Sequence, residues 1–264
     1  MKSFAYHRPT EIGQAVDLLA AHTGGAPLSG GMSLLPMLKF RLVDYPMIVD
    51  LTHISTMRGI TVTDEAVTIG AATPHVDVAS SGEVAQKIAA LAQLAGGIGD
   101  PQVRNRGTIG GSLANADPAA DYPAAALALG ATILTDRRNI AVDDFFLDLF
   151  TTALIPGEII TGIRFPIPKA SAYAKFRSPA SRYAVVGVFV ARTRDSVRVA
   201  VTGAGPKVFR LPEMEEALAA AFSPASIVGI TVPEEGLNGD IHADPGYRAH
   251  LIGVMARRAV AQAV

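Results

Sequence analysis

Gln102-Val103-Arg104-Asn105-Arg106-Gly107-Thr108-Ile109-Gly110-Gly111-Ser112-Leu113-Ala114 is a glycine pair with hydroxyl residues on both sides, reached through a polar stretch carrying two arginines. Adjacent glycines lack Cβ atoms, so a ligand can approach their backbone closely and either residue can take a positive φ. A stretch of similar design lies upstream, Pro27-Leu28-Ser29-Gly30-Gly31-Met32-Ser33-Leu34-Leu35-Pro36, between an apolar strand and a short helix. Free N–H groups at a helix start make an anion site, and the flanking hydroxyls add donors. Two such loops in one chain suit a pyrophosphate held from both sides. Neither carries Gly-Lys-Ser/Thr, so neither is a P-loop. Gly97-Ile98-Gly99 is followed by Gln102 and Gly203-Ala204-Gly205 by Val208 where a third glycine would fall, so a Rossmann dinucleotide site is unsupported. Taken singly, each glycine pair also fits an ordinary tight turn.

Outward from these loops, apolar spacing predicts a helix over Pro9 to His22, with Thr10 as its N-cap, and a short one over Ser33 to Phe40. Ala26 to Leu28 and Met47 to Leu51 read as strands. Gly59 to Ala71 reads as a hairpin turning at Asp64-Glu65. Helices are expected at His75 to Ala79, Val84 to Leu94 and Pro123 to Leu129, the last stopped by Gly130. Gly96 to Gly107 reads as a loop, and Ala131 to Leu134 as a strand. Beyond Pro166-Ile167-Pro168 the texture changes. Three antiparallel strands (Ser171 to Arg177, Tyr183 to Arg192, Val197 to Thr202) precede two helices (Leu211 to Phe222, Tyr247 to Ala263), which suggests a separate α+β unit.

The 264 residues are 49% hydrophobic and 18% charged, a globular composition, and the net charge of −1 gives no general attraction to nucleic acid or anionic membrane. There is no cysteine, which excludes disulfides, thiolate metal sites and iron–sulfur ligation within this chain. The six histidines are dispersed without metal-ligand spacing and read as structural or surface residues. Met1 to Pro9 has no apolar signal region and no run approaches a membrane span, so the expected location is the cytoplasm.

Three blocks resemble the FAD-binding medium subunit of the molybdenum hydroxylases, the group that includes the flavoprotein subunit of carbon monoxide dehydrogenase and the FAD domain of xanthine dehydrogenase. They are Ser29 to Pro36, Gln102 to Ala114 and Ala116-Asp117-Pro118-Ala119-Ala120-Asp121. The resemblance implies an α+β, PCMH-type (vanillyl-alcohol-oxidase-like) fold in which two subdomains, 1–54 and 55–168, clasp FAD. A smaller C-terminal α+β domain of antiparallel strands and helices, 169–264, follows. By resemblance Ser29, Gly30, Gly31, Met32, Ser33 and Leu34, with Thr108, Ile109, Gly110, Gly111 and Ser112, wrap the pyrophosphate. Asp121 contacts the cofactor, Ile98 packs on the flavin, Ile160 makes a backbone contact, and Lys175 a polar one near the isoalloxazine.

Asp121 also has the place of a cap for the helix after it, and Lys175 that of a solvated strand residue. Arg104 and Arg106 suit either a phosphate or a partner subunit. The implied role is electron transfer, with molybdopterin on a large partner subunit and 2Fe-2S clusters on a small one, as a dimer of heterotrimers serving an external acceptor. A free-standing FAD-dependent reductase or oxidase using NAD(P)H, with Tyr122 or Tyr183 in acid–base roles, is one alternative. A non-redox nucleotide-binding module is another.

Overall fold

The computed structural model describes residues 1–263. Its elements in chain order are β1 (Ala5–His7), α1 (Ile12–Ala21), β2 (Ala26–Leu28), α2 (Leu34–Lys39) and β3 (Met47–Asp50). These are followed by β4 (Ile60–Val62), β5 (Ala66–Gly70), α3 (His75–Ser80), α4 (Gly82–Lys87), α5 (Ala89–Gly96), α6 (Pro101–Arg106), α7 (Ile109–Asn115) and α8 (Tyr122–Leu129). Then come β6 (Thr132–Thr135), β7 (Asn139–Ala141), β8 (Phe146–Asp148), β9 (Thr151–Thr152) and β10 (Ile160–Pro166). The chain closes with β11 (Ala170–Arg177), β12 (Ala184–Arg192), β13 (Val197–Thr202), β14 (Phe209–Arg210), α9 (Pro212–Ala220) and α10 (Pro245–Gln262).

Three sheets organise these elements, an α+β arrangement as expected. The first is parallel, in the order β1-β3-β2. The second is antiparallel, β4-β5-β10-β6-β7, and the third is antiparallel, β11-β12-β13-β14. The short β8–β9 hairpin stands apart.

The largest apolar core does not respect the sheet divisions. Ala15 and Leu19 of α1 and Met47 of β3 pack in one cluster with Ile69, Ile163 and Phe165 of the second sheet, and Phe189 of the third joins it. Every residue of α8 is buried. Its alanines (Tyr-Pro-Ala-Ala-Ala-Leu-Ala-Leu) let it press against β10 on one side and β12 and β13 on the other, as a helix that is apolar all round must. Gly130 ends it at φ 64°, a left-handed cap that a β-carbon would strain.

Several expectations need correction. Residues 96–107 are not a plain loop, because Asp100 accepts the Val103 N–H at 2.9 Å and Pro101 starts a helix that runs to Arg106. Asp-Pro as cap and first helical residue is the signal that the surrounding glycines obscured. The expected helix over Val84 to Leu94 is two helices broken at Ile88 (φ −141°, ψ 70°). Thr10 is no cap, since its N–H is taken by Gln14 Oε1 at 3.1 Å and Glu11 holds the cap position without a side-chain bond. The strands β7 to β10 were not read from the sequence, although β10 is the central strand of its sheet.

In the C-terminal unit, Arg248 of α10 is 3% exposed. It donates to Val185 O at 2.6 Å, to Gly203 O at 2.9 Å and to Asp240 at 2.7 Å. It thereby ties the helix to the third sheet. Removing it strands buried acceptors, so Arg248→Ala is expected to cost about 3 kcal/mol of unfolding free energy in urea titrations. A loss below about 1 kcal/mol would show that the cation does not carry this junction.

Candidate functional site

The second glycine loop is built into the first turn of α7. Thr108 caps that helix, its Oγ1 accepting the Gly111 N–H at 3.3 Å. The next amides are already committed: Ile109 N–H donates to Thr73 O at 3.2 Å and Gly110 N–H to Ala71 O at 2.9 Å. His75 N–H in turn donates to Gly107 O at 2.9 Å. Only glycine fits at 110, where a Cβ would lie 2.8 Å from Ala71 O.

The first loop is seated on the second. Gly30 abuts the backbone of Arg106 and Gly107, where a Cβ would collide with the Arg106 carbonyl. Thr108 Oγ1 donates to Ser29 Oγ at 2.9 Å. Unlike their counterparts in α7, the N–H groups of Gly30, Gly31, Met32, Ser33 and Leu34 find no acceptor among the described residues. Successive unpaired N–H groups of this kind can form an anion-binding concavity. The two loops are similar in sequence but differ in structure: one presents its donors and the other spends them.

Both loops open on a cavity of about 430 Å³. Its wall includes Ser29, Gly30, Gly31, Met32, Ser33, Leu34, Ile98, Thr108, Gly110, Gly111, Ser112, Asp121 and Ile160. Ile109 is fully buried beneath the wall, and Lys175 lies behind it. Asp121 makes no cap bond to α8. Its carboxylate accepts from Lys175 Nζ at 2.8 Å on Oδ2 and from Tyr173 Oη on Oδ1. Burial pushes the Asp121 carboxyl up, against the opposing pull of Lys175 and Tyr173.

Residues to which the resemblance gives no cofactor contact also reach the wall: His75, Asp117, Glu158, Arg182 and Tyr183. Asp117 lies in the Asp-Pro turn of the third resembling block. Tyr183 is expected from the sequence only as an acid–base group, whereas Tyr122, offered for the same role, is wholly buried and off the wall. His75 is 5% exposed with its Nδ1 unpartnered. Burial, helped by Arg104, holds its imidazole down to about 4, so the ring is neutral at pH 7. No cluster of His, Cys, Asp or Glu among the described residues is arranged to hold a metal ion.

The family model of the FAD binding domain in molybdopterin dehydrogenase matches residues 2–168. This chain belongs to that family. The carbon monoxide dehydrogenase medium chain of Hydrogenophaga pseudoflava is 35% identical over 97% of this chain and 96% of its own length. The nicotine 6-hydroxylase medium subunit of Paenarthrobacter nicotinovorans is 32% identical over 100% and 98%. A structure of reconstituted CO dehydrogenase from Oligotropha carboxidovorans superposes with a TM-score of 0.90 at 33% identity, covering 99% of this chain and 97% of that one. The expected fold and cofactor therefore hold. The chain is an FAD-binding medium subunit of the molybdenum-containing hydroxylases and dehydrogenases, an oxidoreductase component. Among its described residues no helix is long and apolar enough to cross a membrane.

The Leu154–Ile160 wall is held by a carboxylate clamp. Glu158 accepts from Arg138 Nε and Nη2, both at 3.0 Å, from Ile155 N–H at 2.9 Å and from Thr135 Oγ1 at 2.8 Å. Arg138 leads in holding the Glu158 carboxyl at about 2, against an ordinary value of 4.5. A depressed carboxyl stabilises the fold fully above the unfolded value and loses that contribution as pH falls through the folded one. Glu158→Gln is therefore expected to flatten the decline in stability between about pH 4.5 and pH 2, followed by denaturation at stepped pH. An unaltered decline would assign the acid sensitivity to other carboxylates.

Proposed function

We propose that the cavity between the two glycine loops holds FAD, with the five free amides of Gly30 to Leu34 facing its pyrophosphate. Those amides carry the proposal: five consecutive donors without acceptors, on a wall shared with a second glycine loop, match an anion that must be approached closely. Ser33 Oγ and Ser112 Oγ make no hydrogen bond among the described residues, and Ser29 Oγ keeps its own hydrogen to donate. Thr108, Gly110 and Gly111, with Ile109 buried beneath them, complete that wall from the second loop. Ile98 and Ile160 offer apolar surface, and Asp121 a carboxyl group held in place by Lys175.

FAD held there by these residues would supply redox chemistry, linking a molybdopterin cofactor on a large partner subunit, by way of 2Fe-2S clusters on a small one, to an external acceptor. The chain's lack of cysteine supports that division, because the clusters need thiolates from elsewhere. The names of its relatives, a medium chain and a medium subunit, support an assembly of several chains, which we take to be a dimer of heterotrimers in the cytoplasm. We also take 1–54, 55–168 and 169–264 as the units of the chain, each centred on one sheet.

Two experiments test this reading. Gly111→Val places a branched side chain against Thr108 Oγ1 and the cavity, and is expected to lower FAD occupancy of the purified chain several-fold by its flavin absorbance. Full occupancy would remove Gly111 from the site. The flavin of the isolated chain is expected to stay oxidised with the organic substrate until the large and small subunits are added. Rapid reduction without them would identify a free-standing enzyme.

A further inference from the structure

Asp121 belongs to the cavity wall, yet both of its carboxylate oxygens are taken from behind, by the third sheet. The two donors, Tyr173 and Lys175, are alternate residues of β11 and so share a face. Tyr173 reaches the carboxylate by lying across Gly187, the β12 residue opposite Lys175 in register. A Cβ at 187 would run into Tyr173 Oη and stand 3.0 Å from Thr202 Cγ2. Phe189, opposite Tyr173 on β12, stacks on its ring with centroids 6.0 Å apart. Aromatic stacking and a missing side chain together aim one hydroxyl at one oxygen.

We propose that Tyr173 is a positioning residue of the flavin site, its hydroxyl fixing the Asp121 carboxylate against the cavity, with Gly187 supplying the space that lets it reach. This rests on the reading of the cavity as the FAD site. The other ionisable groups near Asp121 are Lys175 on β11, Tyr122 next in the chain, and Asp117 and Tyr183 on the cavity wall. Lys175 is the cation of that set. Tyr183 is pushed up by burial and by both carboxylates, and so stays protonated at neutral pH. Without the Tyr173 hydroxyl, Asp121 keeps one donor instead of two, holds its proton to higher pH and is free to turn.

The test is FAD titration of the 264-residue chain by flavin fluorescence across about pH 5 to 8, with the flavin midpoint potential measured alongside. Tyr173→Phe is expected to weaken FAD binding roughly 2- to 10-fold and to move the acid limb of the affinity curve to higher pH. Gly187→Ala, which displaces the hydroxyl without removing it, is expected to do the same, and the double variant to add little. Should Gly187→Ala fail to fold, the Tyr173→Phe curve decides alone. A Tyr173→Phe variant that loses thermal stability but keeps the wild-type affinity, acid limb and potential overturns the proposal. A wild-type chain that binds no FAD at all overturns the site reading and this inference with it.

Discussion

Two hydrogen bonds set the geometry of the site: Ile109 N–H to Thr73 O and Gly110 N–H to Ala71 O. They splice the start of α7 onto the segment that leaves β5, and they consume the donors a helix N-terminus would otherwise offer. The second glycine loop becomes a platform as a result. Gly30 rests on it backbone to backbone, and Ser29 and Thr108 join across it. The first loop is thereby held in place while its own amides stay free. A pair of loops that both satisfied their amides would offer no backbone donors, and a pair that both left them open would be costly to keep in shape.

The same economy governs the charged groups. Glu158 and Asp121 are both buried carboxylates on the cavity wall, and each has its oxygens filled from behind, Glu158 by Arg138 and Asp121 by Lys175 and Tyr173. A buried carboxylate left with one donor too few would take up a proton or turn away. Asp121 also stands immediately before α8, the helix buried between the second and third sheets. Through it the C-terminal unit takes part in shaping a wall formed mostly by earlier residues.

Much of this was legible in the sequence. The glycine blocks, the three C-terminal strands and the Gly130 stop are local signals, and each appears where local chemistry puts it. What stayed hidden was non-local or masked. Nothing in Thr108 to Ser112 announces that the carbonyls of residues 71 and 73 will claim its amides. The partner of Asp121 lies on a strand some fifty residues on, so a nearby helix start looked like its natural use. Strand β10 carries Gly162 and ends at Pro166, residues that weaken a strand pattern, and its Ile160-Thr161-Gly162-Ile163-Arg164-Phe165 alternation is recognisable only once its neighbours are known. Helix α6 hid in a glycine-rich stretch whose Asp-Pro start is a better guide than its composition.

The central place of β10 also bears on how the molecule assembles. It lies between β5 and β6, pairing Gly162 with Gly70 and Ile163 with Ile133. Until the ribosome has released Pro166, β5 and β6 have no strand to join them and each keeps an open edge. The second sheet is a late closure over a long chain separation, which makes for slow folding. A nascent chain halted between α8 and β10 would carry open strand edges, the kind of surface that pairs with other chains.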